Sequence, residues 1–447
     1  MQPGTNQAAF AQQQGLSLVY SLPGSPDWAV FTPTRSGTPV TSLLGNIAAS
    51  QQVKFSEQNY ITQYTKFSFT PNDPLYATSG GFNGQWHLNN SLGRPSANLT
   101  AAGAWKSNTP GSGVIIGDVD DGIEPTHPDI AANFNATHTF DFIANSATQT
   151  FGSTDAHGMS TSGVAAARGG NGIGVTGSAP FAQIASMKVF TGSTTGTNAQ
   201  FAAAVMYHSS GADTSVTIKN QSYGISSPFV SDTTHNNGIT TSANAGTIHV
   251  LSAGNERGAS GQDSNKKMAQ ANPNIIAVSA LGFNGVFADY SCFGANITVT
   301  APSNRTDVTA AGNSISTTDR VGANGYNTTG SGNYSDLSYT NDFGGTSSAA
   351  PLVTGIMALG KQANPALDVR LAKHILARTS TQVNAGDVSA SSDGGWRSRC
   401  RRHQVQPELR LRSHQWRCLC QYGQPIHCHP PCYCQQRYPG CRRAGTG

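Results

Sequence analysis

The stretch Val114-Ile115-Ile116-Gly117-Asp118-Val119-Asp120 constrains the fold more than any other part of the chain. A near-continuous apolar run needs cover on both faces, which strands of a parallel sheet receive from their crossover helices. It closes on Asp120-Asp121-Gly122, and the carboxyl ends of such strands are where open α/β sheets present their chemistry. Taken alone, the acid pair is also compatible with a solvated turn. Downstream, hydrophobic patterning predicts a helix over 159–168, strands over 184–190, 215–220, 248–252, 275–280 and 297–301, and a helix over 199–208. This alternation predicts an α/β fold, a doubly wound, mostly parallel sheet with helices on both faces. A short helix is expected over 101–106. Residues 311–339 read as a Gly/Ser/Asn-rich loop delivering the chain to a long apolar helix over 347–361. A last helix is expected to run to about 378, with Asn364 as its cap and Pro365 at its first position.

Four blocks carry candidate chemistry. Ser347 lies in Gly345-Thr346-Ser347-Ser348-Ala349-Ala350-Pro351, where small neighbours let a substrate backbone approach and a helix start aims free N–H groups at a developing oxyanion. The same composition also suits an ordinary loop. His157-Gly158 opens a helix rich in small residues, a placement firm enough for proton transfer, although a lone histidine is more often structural. Ser252-Ala253-Gly254-Asn255 and Ser222-Tyr223-Gly224 each follow a strand.

Val119-Asp120-Asp121-Gly122 with His127-Pro128-Asp129, then His157-Gly158, Ser252-Ala253-Gly254-Asn255 and the Ser347 block, in the chain order Asp, His, Ser, resemble the four signature blocks of the subtilisin-like serine proteases. The likeness covers roughly residues 73–380. The paired Asp120-Asp121, and Asp73-Pro74-Leu75-Tyr76 ahead of Gln85-Trp86-His87-Leu88, are most similar to the kexin-like branch. The resemblance implies a serine endopeptidase with Asp120, His157 and Ser347 as its triad and Asn255 in the oxyanion hole. It implies that Ser222, Tyr223, Gly224 and Asp121 bind substrate. The kexin-like acids that select basic side chains are missing after Ser222-Tyr223-Gly224, and Lys266-Lys267 stand where others would be wanted. The expected specificity is therefore broad rather than dibasic. The resemblance also implies structural Ca²⁺ held by Asp73, Asp129 and Asn171, the last in Gly169-Gly170-Asn171-Gly172, a set of oxygen ligands suited to that ion.

Residues 1–70 read as a small α+β unit, with strands over 16–20, 28–31 and 53–55 and a helix over 41–50. The unit resembles the end of an inhibitory propeptide, so the chain's own propeptide is an expected intramolecular inhibitor, and residues 71–395 form the expected catalytic domain. No signal peptide is expected within the chain and no apolar run is long enough for a membrane span. The resemblance nevertheless implies a secreted or extracytoplasmic protein.

Residues 396–447 differ from the rest. They hold ten Arg, no Lys and one acid, Glu408, about +9, whereas the body carries about −5 of the overall +4. Seven of the eight cysteines fall between Cys400 and Cys441, leaving Cys292 alone in the body. Nucleic acid is therefore not an expected partner of the body. An alternative reading is a catalytically silent fold whose Cys/His/Arg-rich tail binds metal or nucleic acid, although its ligand spacings match no usual zinc finger. The preferred reading is a frameshift. Dropping the first base of each codon from Arg402 to Trp416 permits Gly-Ile-Lys-Phe-Asn-x-Asn-Tyr-Gly-Phe-Gly-Leu-Ile-Asn-Gly, which looks like the closing segment of kexin-like catalytic domains.

Overall fold

A computed structural model describes residues 1–59, 69–76, 84–89, 104–192, 194–307, 313–331 and 333–383, with short strand segments at 397–399, 403–405 and 409–411. The chain forms two compact units, Met1–Lys66 and Phe67–Gly447. In the first, α1 (Gln7–Gln13) precedes an antiparallel hairpin of β1 (Leu16–Ser21) and β2 (Ala29–Pro33), followed by α2 (Val40–Ala48). Asn6 Oδ1 caps α1 by accepting from the Ala9 N–H at 3.0 Å. The α1 segment is mostly Gln and Ala and carries too little apolar periodicity to be expected. Residues 53–55 form no strand; Val53 is buried and Phe55 packs against Trp28.

In the second unit a 3₁₀ turn spans Trp105–Ser107; residues 101–103 of the helix expected over 101–106 lie outside the described residues. Its main sheet has β3 (Ile115–Asp120), β4 (Phe140–Asp141), β5 (Gln183–Lys188), β8 (Val216–Gln221), β9 (Ile248–Ser252), β10 (Ile275–Leu281) and β11 (Ile297–Pro302). A small hairpin, β6 (Phe190–Thr191) and β7 (Thr194–Thr195), follows β5. The order across the main sheet is β11-β10-β9-β8-β3-β5-β4, and all neighbours are parallel.

Helices α3 (His157–Ala166), α4 (Asn198–Met206), α5 (Thr233–Asn244), α6 (Thr346–Ala363) and α7 (Val369–Thr379) cover the two faces. One core joins Ile116, Ile184, Val250 and Ile276 to Val164 of α3, Leu352 of α6 and Leu376 of α7. The other joins Val119, Met187, Leu251 and Ala277 to Phe201 of α4 and Ile239 of α5. Adjacent residues such as Val250 and Leu251 thus enter opposite cores, as the two-residue side-chain period of a strand requires. The chain crosses from the β5 side of β3 to the β8 side, which makes the carboxyl ends of β3 and β8 the switch point where such sheets place their sites.

Two other expectations are corrected. The 311–339 segment contains β12 (Ile315–Thr318), paired antiparallel with β13 (Tyr339–Phe343). Asn364 does not cap the last helix: its Oδ1 accepts from the Ala366 N–H at 3.1 Å in a local turn, and α7 is capped by Asp368, which accepts from Leu371 N at 2.7 Å. Beyond β14 (Ser380–Gln382), β15 (Arg397–Arg399) pairs with β16 (His403–Val405), and β17 (Leu409–Leu411) pairs with β14. The tail cysteines and the zinc-module reading lie outside the described residues.

Candidate active site

Asp118 and Asp120 are two residues apart on β3 and so share a face, while His157 and Thr161 are one turn apart on α3. A helical turn rises about 5.4 Å and two strand residues about 6.6 Å, so the pairs come into register. The Asp120 carboxylate lies 2.9 Å from His157 Nδ1 through both oxygens. One turn deeper, Asp118 Oδ2 accepts from Thr161 Oγ1 at 2.8 Å and from Ser162 Oγ at 3.1 Å. The His157 side chain remains 29% exposed, and its ring meets Phe343 edge to face at 5.5 Å, four residues ahead of Ser347.

Asp121 caps α3 from the end of β3: its two oxygens accept from the His157 N–H at 3.0 Å and the Gly158 N–H at 2.7 Å. Only 7% exposed, it holds the histidine's backbone.

Ser347 is the second residue of α6, whose N-cap Gly345 takes φ +73°, a conformation costly for residues with a side chain. Pro351 lacks the N–H that would bond the Ser347 carbonyl. Ser222 supplies a replacement, donating from Oγ to that carbonyl at 3.1 Å, while Ser347 Oγ donates back to the Ser222 carbonyl at 3.2 Å. Asn220 Nδ2 links Ser222 Oγ to Asp118 Oδ1. Among the described residues, no hydrogen bond joins Ser347 to His157. Asn255 Oδ1 accepts from both the N–H and the hydroxyl of Thr346 at 2.9 Å, and among the described residues its amide nitrogen has no hydrogen-bond partner.

Tyr223 turns inward, with its hydroxyl at 3.0 Å from Gln221 Oε1 and 3.2 Å from His235 Nε2. With Gly224, Phe190, Phe201 and Met268 it lines a cavity of about 160 Å³. Sequence reasoning passed over Glu256, the acid next to Asn255. It is neutralised by the buried Lys267, 2.5 Å away, with Cys292 Sγ at 3.1 Å. Only its position directly after Asn255 could have drawn attention to it. The Asp118 network was missed too, though its two-residue spacing from Asp120 was a usable signal.

The charges around His157 are tightly coupled. Burial pushes the imidazole down, but the Asp120 carboxylate, aided by Asp121 and Asp118, more than reverses this and raises it to about 9. Burial and the neighbouring Asp120 charge lift Asp118 to about 7 and Asp121 to about 6.

The expected cation ligands also converge. Asp73 accepts from the N–H groups of Gly170 and Asn171, and Asn171 Nδ2 donates to Asp129 Oδ1 at 2.8 Å. Burial raises both carboxyls, Asp129 to about 6. Neither has a Lys or Arg partner among the described residues. Two buried acids sharing a Gly-rich loop without a counter-charge fit a hard divalent cation.

A model of the subtilase family matches residues 111–396. The chain belongs to the subtilase family. It is 27% identical over 357 residues to the PC3-like endoprotease variant B of Hydra vulgaris, covering 77% of this chain and 46% of that protein. It is 28% identical over 389 residues to the calcium-dependent protease of Trichormus variabilis, covering 82% and 54%. Among solved structures, a serine protease of Aeromonas sobria superposes with a TM-score of 0.67 at 25% identity, over 85% of this chain and 72% of that one. This subtilase spans about half the length of these two curated relatives. Its relatives thus include both kexin-like and bacterial proteases, and no described helix is long and apolar enough to cross a membrane.

Proposed function

We propose that this subtilase is a serine endopeptidase in which Asp120, His157 and Ser347 cleave peptide bonds through an acyl-enzyme. The observation that carries the proposal is the Asp120 carboxylate held 2.9 Å from His157 Nδ1, which fixes the tautomer and leaves Nε2 free as a base. As Ser347 Oγ bonds to the scissile carbonyl carbon, its proton passes to Nε2. The C–N bond then breaks and the same proton goes to the leaving amine; water repeats the sequence to release the acid. The Ser347 N–H and the Asn255 amide stabilise the oxyanion. Loss of one such donor costs about 3 kcal/mol, a magnitude known for a subtilisin.

Broad specificity is supported by the engagement of nearby acids, since Asp121 caps α3 and Glu256 pairs with Lys267. Ser222 positions Ser347, and Tyr223 and Gly224 border a mainly apolar cavity whose charged lining groups, Asp232 and Lys267, are paired with His235 and Glu256, which suits uncharged side chains. A structural Ca²⁺ would be held by Asp73, Asp129 and Asn171, supplying positive charge to the buried acids. Residues 1–70 serve as the inhibitory propeptide, and the working location is extracytoplasmic. In the test, Ser347→Ala abolishes covalent labelling by a fluorophosphonate and blocks propeptide cleavage; undiminished labelling of that variant would overturn the assignment.

A further inference from the structure

A second cluster lies at the opposite, amino end of the sheet, where β4 and β8 begin. His138 ends the 3₁₀ turn Ala136–His138 just before β4, while His208 and Asp213 stand in the connection from α4 to β8. One donor atom from each residue lies within 4.8 Å of the others. The two imidazole centroids are 4.6 Å apart, and His208 Nδ1 contacts Asp213 Oδ2. His208 also adopts φ +48°, a left-handed conformation that favours glycine.

Hydrogen bonding fixes the His138 tautomer. Asn135 Nδ2 donates to Gln183 Oε1 at 3.0 Å, so Asn135 Oδ1 faces His138 Nδ1 at 2.8 Å and must accept its proton. Nε2 therefore carries a lone pair. Ser215 Oγ lies 2.8 Å from that nitrogen and 2.7 Å from Asp213 Oδ1. A hydroxyl has one proton, so two acceptors compete for it, and the cluster is rich in lone pairs. The Asn135 contact is also the orienting bond that metal-binding histidines characteristically make through their other nitrogen.

We propose that His138, His208 and Asp213 bind a divalent transition-metal ion of the zinc class, with Ser215 Oγ or water in a fourth position. Two imidazoles and a carboxylate form a borderline donor set suited to such ions. Tetrahedral ligands about 2.1 Å from an ion stand roughly 3.4 Å apart, so side-chain rotation closes the site without backbone movement. On binding the ion, His208 Nδ1 gives up its proton to the ring's other nitrogen or to solvent, and the Ser215 hydroxyl turns its proton from His138 Nε2 to Asp213 Oδ1. The ion fastens the α4–β8 connection to the turn ahead of edge strand β4 and shares no residue with the Asp73 and Asp129 cluster.

The test titrates the metal-free full chain, carrying Ser347→Ala to prevent self-digestion, with Co²⁺. One equivalent is expected to give the visible absorption of a tetrahedral nitrogen and oxygen site, without the thiolate charge-transfer band that tail cysteines would produce. His138→Ala and His208→Ala each lower the stoichiometry by one, Asp213→Asn weakens binding at least about tenfold, and the exposed His374→Ala changes neither. A stoichiometry and spectrum preserved in both histidine variants, or no visible band in the parent chain, overturns the proposal. The Asp213→Asn affinity decides the matter if a histidine variant does not fold.

Discussion

His157 is where electrostatics and catalysis meet most directly. Its folded value of about 9 lies above the ordinary 6.5, so the folded protein holds this proton more tightly than the unfolded chain. The resulting stabilisation is complete below about pH 6.5 and is lost as pH rises through about 9. Catalysis needs the neutral ring, so kcat/KM should rise with pH, about tenfold per unit below an inflection near 9. Asp121→Asn removes one raising charge and should shift that inflection downward, because Asp121 is among the groups that lift the imidazole. An inflection already at the ordinary histidine value, or one unmoved by the substitution, would count against this electrostatic account. The residues proposed to carry this chemistry stood out in the sequence because each sits at the end of a strand or start of a helix. Asp121 was legible as an acid but its partner was not, since a cap contributed from 36 residues away leaves no local pattern.

Among elements, α3 and β12 are tied by reciprocal side-chain to backbone hydrogen bonds. Thr317 and Thr318 hydroxyls donate to the Ser160 and Met159 carbonyls at 2.8 and 2.6 Å, and Ser160 Oγ returns a bond to the Thr318 carbonyl at 3.0 Å. Gly163 permits this approach, since a side-chain carbon there would collide with both threonines. Gly163→Val should therefore cost about 1–3 kcal/mol or more, seen as a melting point lower by several degrees, and should reduce turnover because His157 begins the same helix. A variant that melts and turns over like the parent would show that the contact carries no strain. The small-residue composition of α3 made this helix readable. In contrast, β12 was hidden because its buried positions include Ser316, Thr317 and Thr318, whose hydroxyls are satisfied only by the tertiary structure. Helix α5 was hidden similarly: its buried face is His235, Gly238, Ile239 and Ser242, with one aliphatic residue to mark the period.

For the whole molecule, the proposed calcium ion makes stability depend on solution conditions. If only the folded chain binds it, a hundredfold excess over Kd should add about 2.7 kcal/mol, so the melting point should rise in Ca²⁺ and fall in chelator. Equal melting points would remove the ion from this account. Residues 396–447 are proposed to be a frameshifted end, and resequencing the DNA decides this: codons unable to encode the alternative string would refute it. Restoring the other frame should give a chain that melts higher and cleaves faster. The body's fold could be read because its parallel strands are long apolar runs, whereas the tail has no such periodicity.

The sheet's last strand ends at Pro302, yet α6 begins only at Thr346, and fifteen of its eighteen residues are buried. A ribosome therefore finishes the entire sheet before supplying the helix that fills one of its two cores. The same late segment carries Ser347, so the proposed nucleophile and the central packing element leave the exit tunnel together. On the proposed function, a growing or truncated polypeptide therefore lacks both the nucleophile and the helix that completes its core.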